Sequence, residues 1–254
     1  MKLHFKRYGS GRPALCILHG LFGSLNHWHS HARLLSDRFT VYVLDQRNHG
    51  GSPHDGMMTY DAMADDLREF MDEHSIPAAR LLGHSMGGKT AMRFAGLHPS
   101  RLDSLVVVDI APRAYPPAHD DIFETLFAVD PSRYTSREAI DRELQPFLPE
   151  PRVRQFLLTN LSREAGGHYC WKMNIPVIHR NYRAIAGSVQ VDPPFTGPAL
   201  FIRGERSRYL LPADEPGIRA LFPQARFFMV PGAGHWVHAE APELFRQALL
   251  AFFE

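Results

Sequence analysis

The sequence predicts an α/β protein: a mostly parallel central sheet with helices on both faces. Apolar runs such as Ala14–Leu18, Leu105–Val108 and Ala78–Leu82, the last broken only by Arg80, are the pattern of strands buried on both sides. Those runs alternate with amphipathic stretches of helical length, the rhythm of strand–helix–strand units. Size agrees, since 254 residues, 44% hydrophobic and 22% charged, suit one large domain with a sizeable core.

Along the chain, strands are expected at about 3–8, 14–18, 40–45, 79–83, 104–109, 198–203 and 225–230, and helices at about 27–36, 59–74, 86–97, 213–222 and 240–253. The first strand alternates through Met1–Gly9 and lacks the apolar core of a signal peptide. The helix after Ser85 continues through Lys89, Ala91, Met92, Phe94 and Leu97 until His98-Pro99 ends it. Between Pro112 and Pro194 the rhythm breaks. Apolar residues there recur at helical spacing, as in Ile122, Phe123, Leu126 and Phe127 or Ile140, Leu144 and Phe147. The expected organisation is a core formed by residues 1–111 and 195–254, with residues 112–194 inserted as a helical lid. There are no repeats and no low-complexity tract.

Composition excludes several functions. The formal net charge of +1, from 28 Lys+Arg against 27 Asp+Glu, suits neither nucleic acid nor an anionic membrane surface. No apolar run approaches a membrane span, so no membrane insertion is expected. Cys16 and Cys170 cannot build a disulfide framework and read as reduced thiols in a cytoplasmic protein. A monomer or small homo-oligomer is expected.

Three motifs carry chemistry. Gly83-His84-Ser85-Met86-Gly87 stands at the end of a predicted strand and the start of a predicted helix. Such a turn is so tight that its central serine is thrown out of the backbone, beside helix N-terminal amides that can receive negative charge. His19-Gly20-Leu21-Phe22-Gly23-Ser24 follows another strand. Its glycines let the backbone approach a substrate oxygen, so the amide of Leu21 or Phe22 can join that of Met86 in an oxyanion hole. Val230-Pro231-Gly232-Ala233-Gly234-His235-Trp236 delivers one histidine from a glycine-rich loop just before the last helix.

With these residues the chain resembles the α/β-hydrolase superfamily, and more narrowly the YbfF-type bacterial esterases. Asp45-Gln46-Arg47-Asn48-His49-Gly50, Val108-Asp109-Ile110-Ala111-Pro112 and Trp171-Lys172-Met173-Asn174 extend the resemblance over nearly the whole chain. It implies an α/β-hydrolase fold and a serine esterase or thioesterase acting through an acyl-serine. The nucleophile is then Ser85 and the base His235. The expected substrate is a small acyl ester or acyl-CoA thioester, with no cofactor and no metal.

The acid departs from the commonest pattern of that superfamily. Many such hydrolases place an aspartate three residues beyond the glycine that ends the penultimate strand, but here Gly204 is followed by Ser207. A serine cannot hold an imidazolium by charge. Asp109, at the carboxyl edge of the strand after the nucleophile helix, is the best candidate. The resemblance implies the same choice, with Ser207 adding a hydrogen bond near the histidine. Glu205 and Asp214 are the alternative acids, and capping of the insertion is the structural alternative for Asp109.

Other residues read as structural. Asp45, Arg47 and His49 pack loops, His84 points away from the nucleophile, and His238 lies on a helix surface. His27, His29 and His31 lack carboxylate partners at ligand spacing and form a helix face. In the insertion, Trp171, Asn174 and Tyr182 are expected to approach substrate. Other serine chemistries on the same scaffold, such as carbon–carbon bond hydrolysis, lyase or cofactor-free perhydrolase activity, are compatible with this sequence. So is a slow-turnover ligand receptor.

Overall fold

A computed structural model describes all residues, Met1–Glu254. In order come β1 (Phe5–Tyr8), β2 (Ala14–Leu18), a 3-10 turn at Leu25–Trp28 leading into α1 (His29–Leu35), β3 (Thr40–Leu44), α2 (Tyr60–Glu73), β4 (Ala79–His84), α3 (Met86–Leu97) and β5 (Leu102–Val108). The segment that follows holds α4 (Asp120–Ala128), α5 (Arg137–Leu144), α6 (Pro151–Leu158), the hairpin β6 (Leu161–Arg163) and β7 (Tyr169–Trp171), then α7 (Ile175–Arg180) and α8 (Tyr182–Ala186). The sheet resumes with β8 (Ala199–Gly204), α9 (Glu215–Leu221), β9 (Ala225–Val230), α10 (Val237–Glu240) and α11 (Pro242–Phe253).

The seven main strands lie in the order β1-β3-β2-β4-β5-β8-β9. Only β1 runs antiparallel, against β3. Alternate residues of each strand enter different cores, as double-sided burial requires. In β5, Leu105 and Val107 join Phe70 of α2 and Phe94 of α3 on one face. Val106 and Val108 join Trp28, Leu35 and Phe245 on the other. Helix ends obey local chemistry: the Thr59 hydroxyl accepts from the Ala62 amide at the start of α2 (3.2 Å), and Pro242 opens α11. No helix is long and apolar enough to cross a membrane.

All seven expected sheet strands are present, with ends shifted by a residue or two. The two expected helices at about 27–36 and 240–253 are each divided, the first into a 3-10 turn and α1, the second at Ala241 before Pro242. The insertion is not wholly helical. Its β6–β7 hairpin pairs Leu161 with Trp171, and Gly167 makes the turn with φ +83°. Strands of three residues are too short for alternation to be seen.

Glycine is essential where β4 turns into α3. A methyl group on Gly83 would run into the backbone of Gly87 and Gly88, which has no room to move. Gly83→Ala should therefore lower stability by at least the roughly 1–3 kcal/mol typical of overpacking. Urea denaturation checks this, and a wild-type midpoint would contradict the close approach.

Candidate active site

Three loops at the carboxyl ends of β4, β5 and β9 bring the expected triad together. Ser85 sits between β4 and α3 at φ 51° and ψ −118°, a backbone conformation that a side chain-bearing residue adopts only when its surroundings enforce it. His235 Nε2 is 3.1 Å from Ser85 Oγ, and His235 Nδ1 is 2.7 Å from Asp109 Oδ2. Because a carboxylate can only accept, Nδ1 carries the proton and the lone pair of Nε2 faces the serine hydroxyl.

Asp109 directly follows β5, is itself at φ 54°, and is completely buried. Its Oδ1 accepts from the Gly204 amide (3.0 Å), and its Oδ2 also accepts from the Ser207 hydroxyl. Ser207 thus reaches the acid rather than replacing it. The alternative acids are engaged elsewhere: Glu205 accepts from the Gly232 amide (2.7 Å), and Asp214 pairs with Arg113 (2.8 Å).

The loop after β2 is held by two histidines. His49 Nδ1–H donates to the Arg47 carbonyl (3.0 Å), leaving Nε2 to accept from the Phe22 amide (3.2 Å). His19 Nε2 accepts from the Gln46 amide (3.0 Å) while its Nδ1–H donates to the Gly20 carbonyl (2.8 Å). The Phe22 amide is therefore already occupied, contrary to its candidacy for the oxyanion hole. The amides of Leu21 and Met86 have no partner within the chain and remain available to an oxyanion.

Two contacts to His235 were not read from the sequence. His84 Nε2–H donates to the His235 carbonyl (3.0 Å), giving the histidine beside the nucleophile a positioning role. The Tyr209 ring stacks on the His235 imidazole, 4.0 Å between centroids and 29° between planes, and the Tyr115 hydroxyl donates to the Tyr209 carbonyl. Nothing in local spacing marks Tyr209, which lies in the loop that also carries Ser207. His238 is a correction: instead of lying on a helix surface it is buried, stacked on Trp28 (4.4 Å, 13°) and packed against His84 and Phe245. His27 Nδ1 accepts from the Ser24 amide (3.1 Å) and its Nε2–H donates to Thr159 Oγ1 (2.8 Å), and no cluster of metal-ligating side chains is present.

A cavity of about 280 Å³ opens beside Ser85. Gly20, Leu21, Met86 and Ile110 line it from the sheet side, and His119, Ile122, Val153, Phe156, Tyr182 and Ile185 from the segment between β5 and β8. Tyr182 is in the wall as expected, but Trp171 and Asn174 are not. The Trp171 indole packs within the insertion and donates to the Val129 carbonyl (3.4 Å). Asn174 ties the insertion to the loop after β3, its amide N–H donating to the Asn48 carbonyl (3.0 Å) and its side chain to Asn48 Oδ1 (3.3 Å).

The sequence model of the family described as alpha/beta hydrolase fold matches residues 13–242. The chain is 40% identical over 236 residues to the esterase YbfF of Escherichia coli strain K12, covering 92% of this chain and 91% of that protein. It is also 40% identical over 248 residues to an sn-1-specific diacylglycerol lipase of Mus musculus, covering 94% of this chain and 80% of the lipase. Among solved structures, a marine microorganism esterase superposes with a TM-score of 0.96 at 42% identity over 99% of both chains.

The buried histidines make stability depend on pH. Burial pushes His27 down to about 4 and His49 down to about 3, and lowers His84 and His238 well below their ordinary value. Below about pH 6.5 these residues become protonated in the unfolded chain but stay neutral in the folded one. The unfolded state then binds more protons, so stability is full above that pH and falls as pH drops towards the folded values. Each such histidine contributes a slope of roughly 1.4 kcal/mol per pH unit. Urea midpoints should fall progressively from about pH 6.5 to 4; equal midpoints at both ends would contradict a set of neutral, buried imidazoles.

Proposed function

The chain belongs to the α/β-hydrolase fold family, and from that premise we propose that it hydrolyses carboxylic esters through an acyl-serine intermediate. The relay from Ser85 through His235 to a buried Asp109, opening into a largely apolar cavity, carries this reading. The similarity to proteins named as an esterase and a diacylglycerol lipase supports it. Residues 112–194 act as the lid of a core made by 1–111 and 195–254.

In the proposed reaction His235 Nε2 takes the hydroxyl proton as Ser85 Oγ attacks the ester carbonyl. The carbonyl oxygen becomes anionic and is held by the amides of Leu21 and Met86, each worth roughly 3 kcal/mol to such an intermediate. Collapse expels the alcohol, which leaves with the proton carried by His235. A water then gives its proton to His235 and attacks the acyl-serine, releasing the carboxylic acid and restoring Ser85. Asp109 holds the imidazole in the required tautomer and stabilises its charged form, while Ser207 and Gly204 fix the carboxylate. The same steps serve a thioester, with a thiol as leaving group. No step requires a cofactor or metal.

Hydrolysis of short p-nitrophenyl esters tests the assignment. Ser85→Ala should lose several orders of magnitude in kcat while keeping the wild-type melting curve, and a fluorophosphonate should label the wild type once, at Ser85. Substantial turnover by the alanine variant, or labelling at another serine, defeats the proposal.

The acid can be tested separately. Asp109→Asn should reduce kcat by up to about 10⁴-fold. Ser207→Ala should cost the roughly ten- to a hundredfold expected of one hydrogen bond to a charged group, and Glu205→Gln should stay near wild type. A dead Glu205→Gln beside an active Asp109→Asn would move the acid elsewhere.

A further inference from the structure

Lys89 lies one turn beyond the nucleophile on α3, its amide donating to the Ser85 carbonyl (3.1 Å). The lysine is 1% exposed, yet it lines the cavity that opens beside Ser85. Its ammonium donates to the Gly187 carbonyl and, at 3.4 Å, to that of Ala186. It lies over the face of Tyr115 (4.6 Å) and farther from that of Tyr60 (5.8 Å). Three N–H donors thus meet two carbonyl acceptors, and no carboxylate lies within ion-pair distance. The charge that acts on it is a like one, Arg113, which is itself paired with Asp214.

A buried ammonium without a counter-ion is costly, and natural chains seldom retain one unless an anion joins it. The cavity wall supplies none: it contains no aspartate, glutamate or arginine, and Lys89 is its only lysine. The neighbouring polar groups are already engaged, the Tyr60 hydroxyl with the Ile185 carbonyl (2.6 Å) and the Tyr115 hydroxyl with the Tyr209 carbonyl. Burial, helped by Arg113, pushes the lysine down to about 7, so an anion arriving near neutral pH would draw a proton onto it.

Building on the ester-hydrolase reading, we infer that Lys89 is the receptor for a carboxylate at the far end of the acyl chain, making half-esters of short dicarboxylic acids preferred substrates. Ser85 and Lys89 line the same cavity of about 280 Å³, so only a short acyl spacer fits between the reacting carbonyl and the charged end. Apolar walls suit that spacer, and the ammonium's unused N–H suits its terminus. A neutral ester of the same length would leave the lysine without an anion.

The experiment compares monomethyl glutarate with dimethyl glutarate in a pH-stat, for the wild type and Lys89→Met. The wild type should favour the half-ester in kcat/KM by roughly ten- to a hundredfold, the value of one charge-assisted hydrogen bond. Lys89→Met should collapse that ratio, mainly through the KM of the half-ester. If Lys89→Met does not fold, the wild type alone decides. Free glutarate should then inhibit dimethyl glutarate hydrolysis roughly tenfold more strongly near pH 6 than near pH 8.5, because the lysine is charged at the lower value. A wild-type ratio near one, a ratio unchanged in Lys89→Met, or pH-independent inhibition overturns the inference. Failure of the wild type to hydrolyse either ester would instead overturn the ester-hydrolase reading itself.

Discussion

The site depends on one buried negative charge. Asp109 is fully enclosed, and a carboxylate in that position is tolerated only if its oxygens are filled by well-placed donors. The donors come from three separate places: the Gly204 amide at the end of β8, the Ser207 hydroxyl three residues later, and His235 Nδ1 after β9. Satisfying the charge therefore fixes the relative positions of three strand ends. Ser85 benefits indirectly, because its partner His235 is already aimed by the same carboxylate. Asp109 thereby organises the loops that carry Gly204, Ser207 and His235.

Backbone strain recurs in the loops that form the site. Ser85, Asp109 and Phe22 all have positive φ without being glycine, and such conformations cost of order 1–3 kcal/mol each. They persist because neighbouring groups over-determine them. The Ser85 amide is bound by the Val108 carbonyl (3.0 Å) and the Asp109 amide by that of Ile202 (2.8 Å). The Phe22 amide is held by His49, and its carbonyl by Asn160 (2.6 Å). Neutral histidines recur in these supports because an uncharged imidazole offers one donor and one acceptor at a fixed separation. Burial keeps them uncharged and hence suited to that task.

What could be read from the sequence was local. Continuous valine and leucine runs identify buried strands, and glycines around Ser85 and Gly20 declare close backbone approaches without reference to distant residues. The missing aspartate at Ser207 was legible as well, since a short motif contained an uncharged residue where a charge was needed, and that pointed back to Asp109. The failures share a different cause. Trp171 and Asn174 sit in a conspicuous motif, but whether a side chain faces the cavity or the Val129 carbonyl and Asn48 depends on how the insertion docks. His238 has helical spacing from His235, yet its burial depends on Trp28, more than two hundred residues away in sequence. Tyr209 and Lys89 carry no motif at all for their contacts with His235 and the cavity.

The way the insertion docks also bears on how the cavity holds its shape. Several bonds cross between the core and the insertion near the pocket, among them Tyr60 to the Ile185 carbonyl, Lys89 to the Gly187 carbonyl, Asn160 to the Phe22 carbonyl and Asn174 to the Asn48 carbonyl. The insertion is therefore tied to the core at several separate points. Opening it would break several of these bonds together, and segments anchored in that way belong to the more stable parts of a fold. The walls that meet the acyl chain are consequently set before substrate arrives, which lowers the ordering cost of binding. Lys89 shares in this anchoring: two of its donors meet the Ala186 and Gly187 carbonyls of the insertion, and the third is left without a carbonyl acceptor.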